Sequence, residues 1–186
     1  MIHKNILYFI LFSLILLTGC TTNKNLVYNK TNYQASQLVS NVSEPTINEE
    51  GYIEIYISGY FSPHTYPSLK KIYKKYYNHK IIIHANSQGG YANDIFKIMN
   101  MIINHGKTTF IVSEKSTCNS MCAYTGLAAK KRQGLLSLHA IHDMKKKLNP
   151  QYNNALLLYL KKSGIDIEKS KKITSSLDFV NIYFNE

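Results

Sequence analysis

The chain has 186 residues, 45% of them hydrophobic and 18% charged, with a formal charge of +11. That is the composition of an ordinary globular protein, long enough for one domain with a real core plus a targeting segment. The lysines are scattered in pairs and triplets, as at Lys70-Lys71, Lys145-Lys146-Lys147 and Lys171-Lys172, mostly on polar faces of predicted helices. Such charge reads as a solvated surface, or as attraction to an anionic membrane, and no nucleic-acid partner is expected.

Met1 to Leu17 has the form of a secretory signal. Lys4 supplies the positive end, and Ile6 to Leu17 is an apolar run broken by Ser13, short for a membrane-spanning helix. It ends in Leu17-Thr18-Gly19-Cys20, which resembles the lipobox of bacterial lipoproteins. The resemblance implies cleavage before Cys20, a diacylglycerol on its thiol, and a mature protein lipid-anchored to the outer or cytoplasmic membrane of a bacterial envelope. A plain signal peptide with an incidental cysteine is the alternative. Residues 1–19 are thus read as signal, 20–50 as a flexible tether rich in Asn, Ser and Thr, and 51–186 as the folded domain.

The folded part alternates strand and helix. Tyr52 to Ser58 is a β-rich run that Gly59 closes. Leu69 to Tyr77 has helical spacing of Leu69, Ile72, Tyr73 and Tyr76. Lys80 to Ala85 is a continuous apolar run, which suits a strand covered on both faces. Asn86 to Gly90 interrupts it, and a helix follows from Ala92 to Ile103 with a stop at Gly106. Thr108–Ser113 is the next strand, and a polar loop leads to a helix from Ser120 to Lys130. Leu135–His142 is another strand, helices follow near Gln151–Lys162 and Ile167–Ser175, and Asp178–Phe184 reads as an extended arm. The pattern predicts an α/β domain with a largely parallel sheet, and nothing after residue 50 is long and apolar enough to span a membrane.

In such a sheet, functional groups gather at the C-terminal ends of the strands. Three polar features fall there: Ser87-Gln88-Gly89-Gly90, Cys118 to Cys122, and His142-Asp143. Each fits acyl transfer. Ser120 opens a helix, where free N–H groups favour developing negative charge. Its hydroxyl needs a base, and His142 is the nearest candidate. Gly89 and Gly90 let a backbone N–H approach a carbonyl, and with the N–H of Met121 they form a candidate oxyanion hole. One such donor stabilises a transition state by about 3–4 kcal/mol. Taken singly, each feature has a plain structural reading: a turn, a helix cap, a strand histidine.

Jointly, His84-Ala85-Asn86-Ser87-Gln88-Gly89-Gly90, Cys118-Asn119-Ser120-Met121-Cys122, Ala128-Ala129-Lys130-Lys131-Arg132 and a strand ending in His resemble the envelope-located Clp-protease-like serine peptidases of the Clp protease/crotonase superfamily. The resemblance covers about residues 51 to 180. It implies a spiral of ββα units and Ser-His-Asp hydrolysis of a peptide or protein substrate, with no metal or cofactor, and often assembly into homo-oligomers. Ser120 matches the nucleophile, Gly90 and Met121 the oxyanion donors with Gly89 beside them, and His142 the base. His139 is the rival; three residues earlier on a regular strand, it faces the other way. Asp178 matches the acid, with Asp166 as alternative, while Asp143 adjoins His142 and points away. Gln88 stands where the family commonly has proline, Ala129 where it has glycine, and the chain ends soon after Asp178. Two other readings use the same fold: an inactive relative that binds peptides or envelope partners, and an acyl-thioester enzyme of the crotonase branch, for which no adenine-nucleotide pocket is visible.

Cys118 and Cys122 are four apart, a spacing that shares one helix face and, in an oxidising envelope, suits a disulfide. Two buried thiols are the alternative. Adding His139 and His142 gives a zinc-like set, but zinc needs four converging ligands and these histidines are expected to diverge.

Overall fold

The computed structural model describes residues 41–185, so the signal segment, Cys20 and the first part of the tether lie outside the described residues. Seven strands form one sheet: β1 (Asn41–Val42), β2 (Thr46–Ile47), β3 (Ile53–Phe61), β4 (Ile81–Gly90), β5 (Thr108–Ile111), β6 (Lys131–Leu138) and β7 (Val180–Asn185). Five helices connect them: α1 (Thr65–Lys75), α2 (Ile95–His105), α3 (Met121–Leu127), α4 (Pro150–Lys162) and α5 (Ile167–Ser175). The order is β1-β3-β4-β5-β6-β7, with β2 also on β3. The four central strands are parallel, each joined to the next by one helix, and β1, β2 and β7 run antiparallel at the margins. The domain is α/β with a mainly parallel centre, as the alternation predicts.

The tether reading meets β1 and β2. Within the stretch read as tether, Asn41–Val42 pairs with Ile57–Ser58 and Thr46–Ile47 with Ile53–Glu54, so four of its last ten residues pair with β3. The β3–β4 pair runs further than the apolar runs suggest. Gly59 does not close β3; it sits inside the strand at φ 76, where the register shifts before Tyr60 pairs with Gly89. Likewise Asn86 to Gly90 continue β4 instead of interrupting it.

The core lies on one face. Ile53, Ile55 and Ile57 of β3, Ile81 and Ile83 of β4 and Phe110 of β5 are buried with Leu69 of α1 and Ile95, Ile98, Met99 and Ile102 of α2. The alternate positions Glu54, Ile82, His84 and Ile111 are only half-buried, so the apolar run of β4 is not covered on both faces as its composition suggests. Helix α2 ends where Gly106 takes the left-handed conformation, φ 68, and returns its N–H to Ile102.

Candidate functional site

Three segments meet at the C-terminal edge of the sheet. Past β5, residues 117–120 run as a further strand-like piece between β4 and β6. Ser87 pairs with Cys118 and Asn119 with Ser137. Ser87 N–H donates to Thr117 O at 2.7 Å, Asn119 N–H to Ser87 O at 3.0 Å, and Ser120 N–H to Ser137 O at 2.8 Å. The chain then turns abruptly into α3. The turn residue is Ser120, at φ 52 and ψ −117, one of two non-glycine residues among those described with positive φ. A side-chain-bearing residue in that region is strained by about 1–3 kcal/mol and persists only where its surroundings fix it.

The surroundings do fix it. Cys118 and Cys122 form a disulfide, Cα atoms 5.1 Å apart, that bridges the turn over Ser120. It also occupies the two sulfurs that a zinc site would need as thiolates. Gly89, at φ 94, packs so closely that a Cβ there would fall 2.7 Å from Ser120 Cβ and 2.7 Å from Asn119 O. On the loop's outer side the Asn119 carboxamide donates to Gln88 Oε1 at 2.5 Å, and Gln88 Nε2 donates to Thr117 Oγ1 at 3.0 Å. Gln88, at the position of the commonly expected proline, thus ties β4 to the Ser120 turn by its side chain. Sequence reading gave it no role, because an exposed glutamine carries no local signal.

The three proposed oxyanion residues sit together but differ in detail. Gly89 N–H is taken by the buried Ser87 Oγ at 3.1 Å, so Gly89 serves here as the side-chain-free neighbour of Ser120. Gly90, at φ 140, lies against Phe61 O and the Tyr60 ring with no room for a Cβ. Met121, buried, is the first residue of α3. A Cβ on Gly89 would stand 3.1 Å from its backbone N.

The histidines are placed otherwise than strand alternation predicts. Strand β6 ends at Leu138, not His142, so the two rings do not fall on opposite faces. They lie together, centroids 5.1 Å apart. Three bonds turn the chain there: Ala140 N–H donates to Ser176 O at 2.8 Å, and Asn153 of α4 clamps Ile141 by accepting its N–H at 2.7 Å and donating to its carbonyl at 2.8 Å. Sequence reading also missed Asn153; its sign was a buried polar residue one turn into a helix capped by Asn149 and opened by Pro150. His139 Nδ1 lies 2.7 Å from Ala140 O, and His142 Nδ1 lies 2.8 Å from Asp143 O. A carbonyl only accepts, so each Nδ1 carries the proton and each neutral ring keeps the lone pair on Nε2, the form a general base needs. Burial pushes the His139 pKa down, the Ala140 carbonyl opposes this, and a charge on His142 would push it down further. Tyr124, one turn along α3 from Ser120, is fully buried with its phenol against the His139 backbone, and burial raises its pKa.

The expected bond between Asp178 and His142 is not formed. Asp178 is exposed, its N–H bonds Ser176 Oγ at 3.0 Å, and among the described residues no carboxylate lies within 4 Å of either ring nitrogen of His139 or His142. Its neighbour Phe179 packs edge-on against His139 at 4.9 Å. Asp166 is spent on capping α5 through Lys169 N–H, and Asp143 on the N–H groups of Lys145 and Lys147. The carboxylate's orienting place on both imidazoles is held by backbone carbonyls.

Among solved structures the chain is similar to the 1510-N membrane-bound stomatin-specific protease, in a serine-to-alanine mutant, at 15% identity and a TM-score of 0.50 over 70% of this chain and 70% of that one. No family model matches the chain, and no curated protein matches it. The fold is Clp-protease-like α/β, as the motifs imply.

Proposed function

We propose that the chain is a serine peptidase that works at the bacterial envelope, held to the membrane through a lipid on Cys20. The observation that carries this reading is the backbone of Ser120. It is strained, it stands where a strand-like piece becomes a helix, and it is fixed by the disulfide, by Gly89 and by the bond to Ser137. A strained serine projected from such a turn is a device for presenting a hydroxyl, and structures seldom bear that cost for packing alone.

In the proposed reaction an imidazole Nε2 takes the Ser120 proton while Oγ attacks the peptide carbonyl. The Met121 and Gly90 N–H groups bind the oxyanion, and the imidazolium returns its proton to the leaving amine. The base belongs to the His139–His142 pair. Ser137 pairs with Asn119 and His139 follows two residues on, and on that register we assign the base to His139 in preference to His142, which alternation favours. The dyad is oriented by the Ala140 carbonyl, so Asp178 is not required for the tautomer.

A fluorophosphonate probe tests the proposal. Wild type is expected to label on Ser120 and Ser120→Ala not at all; equal labelling would remove Ser120 as nucleophile. No labelling of a folded wild type would favour the inactive, peptide-binding reading.

A further inference from the structure

The chain just past His142 forms a braced hairpin that catalysis does not use. His142 pairs with Leu148, and Asp143 N–H donates to Lys147 O at 3.0 Å. Lys146 N–H returns to Asp143 O at 3.0 Å, and Asp143 Oδ1 accepts from Lys145 N–H at 2.8 Å and Lys147 N–H at 2.9 Å. At the tip Met144 is 102% exposed. Lys145, Lys146 and Lys147 follow it, all exposed, and none forms an ion pair among the described residues.

We propose that this hairpin docks on an anionic phospholipid surface, with Met144 entering the boundary between headgroups and acyl chains and the three lysines lying among the headgroup phosphates. Charge complementarity carries the choice of partner. An apolar side chain wholly in water beside three unpaired ammonium groups matches the layered chemistry of an anionic bilayer, apolar inside and negative at its rim. The chain's +11 charge favours the same approach. The surface does not end at the tip. His142 touches His139, His139 touches Phe179, and Phe179 and Leu177 are 52% and 41% exposed. Because the turn is already hydrogen-bonded, little backbone freedom remains to be lost on docking. Each lysine near such a surface strengthens partitioning about fivefold, so the three together contribute about a hundredfold. Docking does not depend on catalysis. Its consequence, that the Ser120 site is held beside the bilayer, rests on the proposed peptidase reading.

The chain contains no tryptophan, so Met144→Trp in the full-length chain introduces a single reporter. The protein is reconstituted in vesicles of phosphatidylglycerol with phosphatidylcholine, or of phosphatidylcholine alone, both with brominated acyl chains. The indole is expected to shift to the blue and be quenched only with phosphatidylglycerol, and the combined Lys145→Glu, Lys146→Glu and Lys147→Glu changes are expected to abolish that. Tyr77→Trp is the control, 63% exposed at the opposite edge, where β4 begins, and is expected to stay unquenched. The segment before Asn41 is present in every arm. Equal quenching of Met144→Trp in both lipids, or equal quenching of Tyr77→Trp, overturns the proposal. Since the readout is not activity, an inactive protein that still docks separates this inference from the peptidase reading.

Discussion

His139 and His142 face each other with ring centroids 5.1 Å apart, and each donates Nδ1–H to the carbonyl of its neighbour or itself-adjacent residue, Ala140 and Asp143. Two imidazoles with free Nε2 lone pairs at one edge of the sheet make the assignment of the base a matter of single substitutions. His139→Ala is expected to lower probe labelling of Ser120 by about 100-fold or more, the usual scale of general-base catalysis, and His142→Ala by far less. The reverse order would return the base to His142.

The pH profile follows from the same pair. Burial first, and then a charge on His142, lower the His139 pKa, so its base form persists below the ordinary histidine value. Labelling is expected to hold as pH drops through about 6.5 and to fail only at lower pH. His142→Ala removes the opposing charge and is expected to move that acid limb upward.

Stability has a matching pH dependence. Burial also lowers the pKa of His84 and of His105, with Glu54 opposing it at His84. Below about 6.5 the unfolded chain then binds more protons than the folded one, so stability rises with pH through the window beneath that value and falls as the solution is acidified. Urea unfolding across that range checks the sign, and flat stability would contradict it.

Gly89→Ala places a methyl 2.7 Å from Ser120 Cβ and Asn119 O in a backbone at φ 94. A loss of about 1–3 kcal/mol in stability is expected, together with loss of labelling out of proportion to the unfolded fraction. Chemical denaturation and labelling at a concentration where the variant is folded separate the two effects.

Reduction of Cys118–Cys122 opens a loop of sequence separation 4, worth about 2 kcal/mol by chain entropy. Cys118→Ser with Cys122→Ser is expected to lose that much and to slow labelling of Ser120, whose strained backbone is then held by fewer ties. Unchanged labelling in a folded double variant would show that Gly89 and Ser137 suffice.

Asn153→Leu leaves the buried Ile141 N–H without its partner, while the Ile141 carbonyl keeps the Asn149 N–H, and is expected to cost about 1–3 kcal/mol. Asn153→Asp keeps the acceptor but loses the donor, so it is expected to recover part of that. Denaturation of both variants, read beside labelling, shows whether the turn that joins the histidines depends on this clamp.

Local chemistry in the sequence was enough for most of the elements and for the buried face of α1. The spacing of Leu69, Ile72 and Tyr73 marks the buried side of α1, Gly106 marks the end of α2, and the four-residue interval brings Cys118 and Cys122 within reach of a disulfide. The first two follow from helical period and backbone freedom, which depend on neighbours along the chain; the disulfide joins Cys118 of the strand-like piece to Cys122 of α3, so it rests on the turn at Ser120 and not on a shared helix face. Where strands end was decided by distant partners. β4 runs on through Gly90 because Tyr60 and Phe61 pair with Gly89 and Gly90. β6 stops at Leu138, just before Ser176 and Asn153 take the bonds of Ala140 and Ile141. The relation of His139 to His142 was therefore illegible in the sequence. Alternation assigns faces only while a strand continues, and whether it continues depends on hydrogen-bond partners that only the tertiary structure brings within reach.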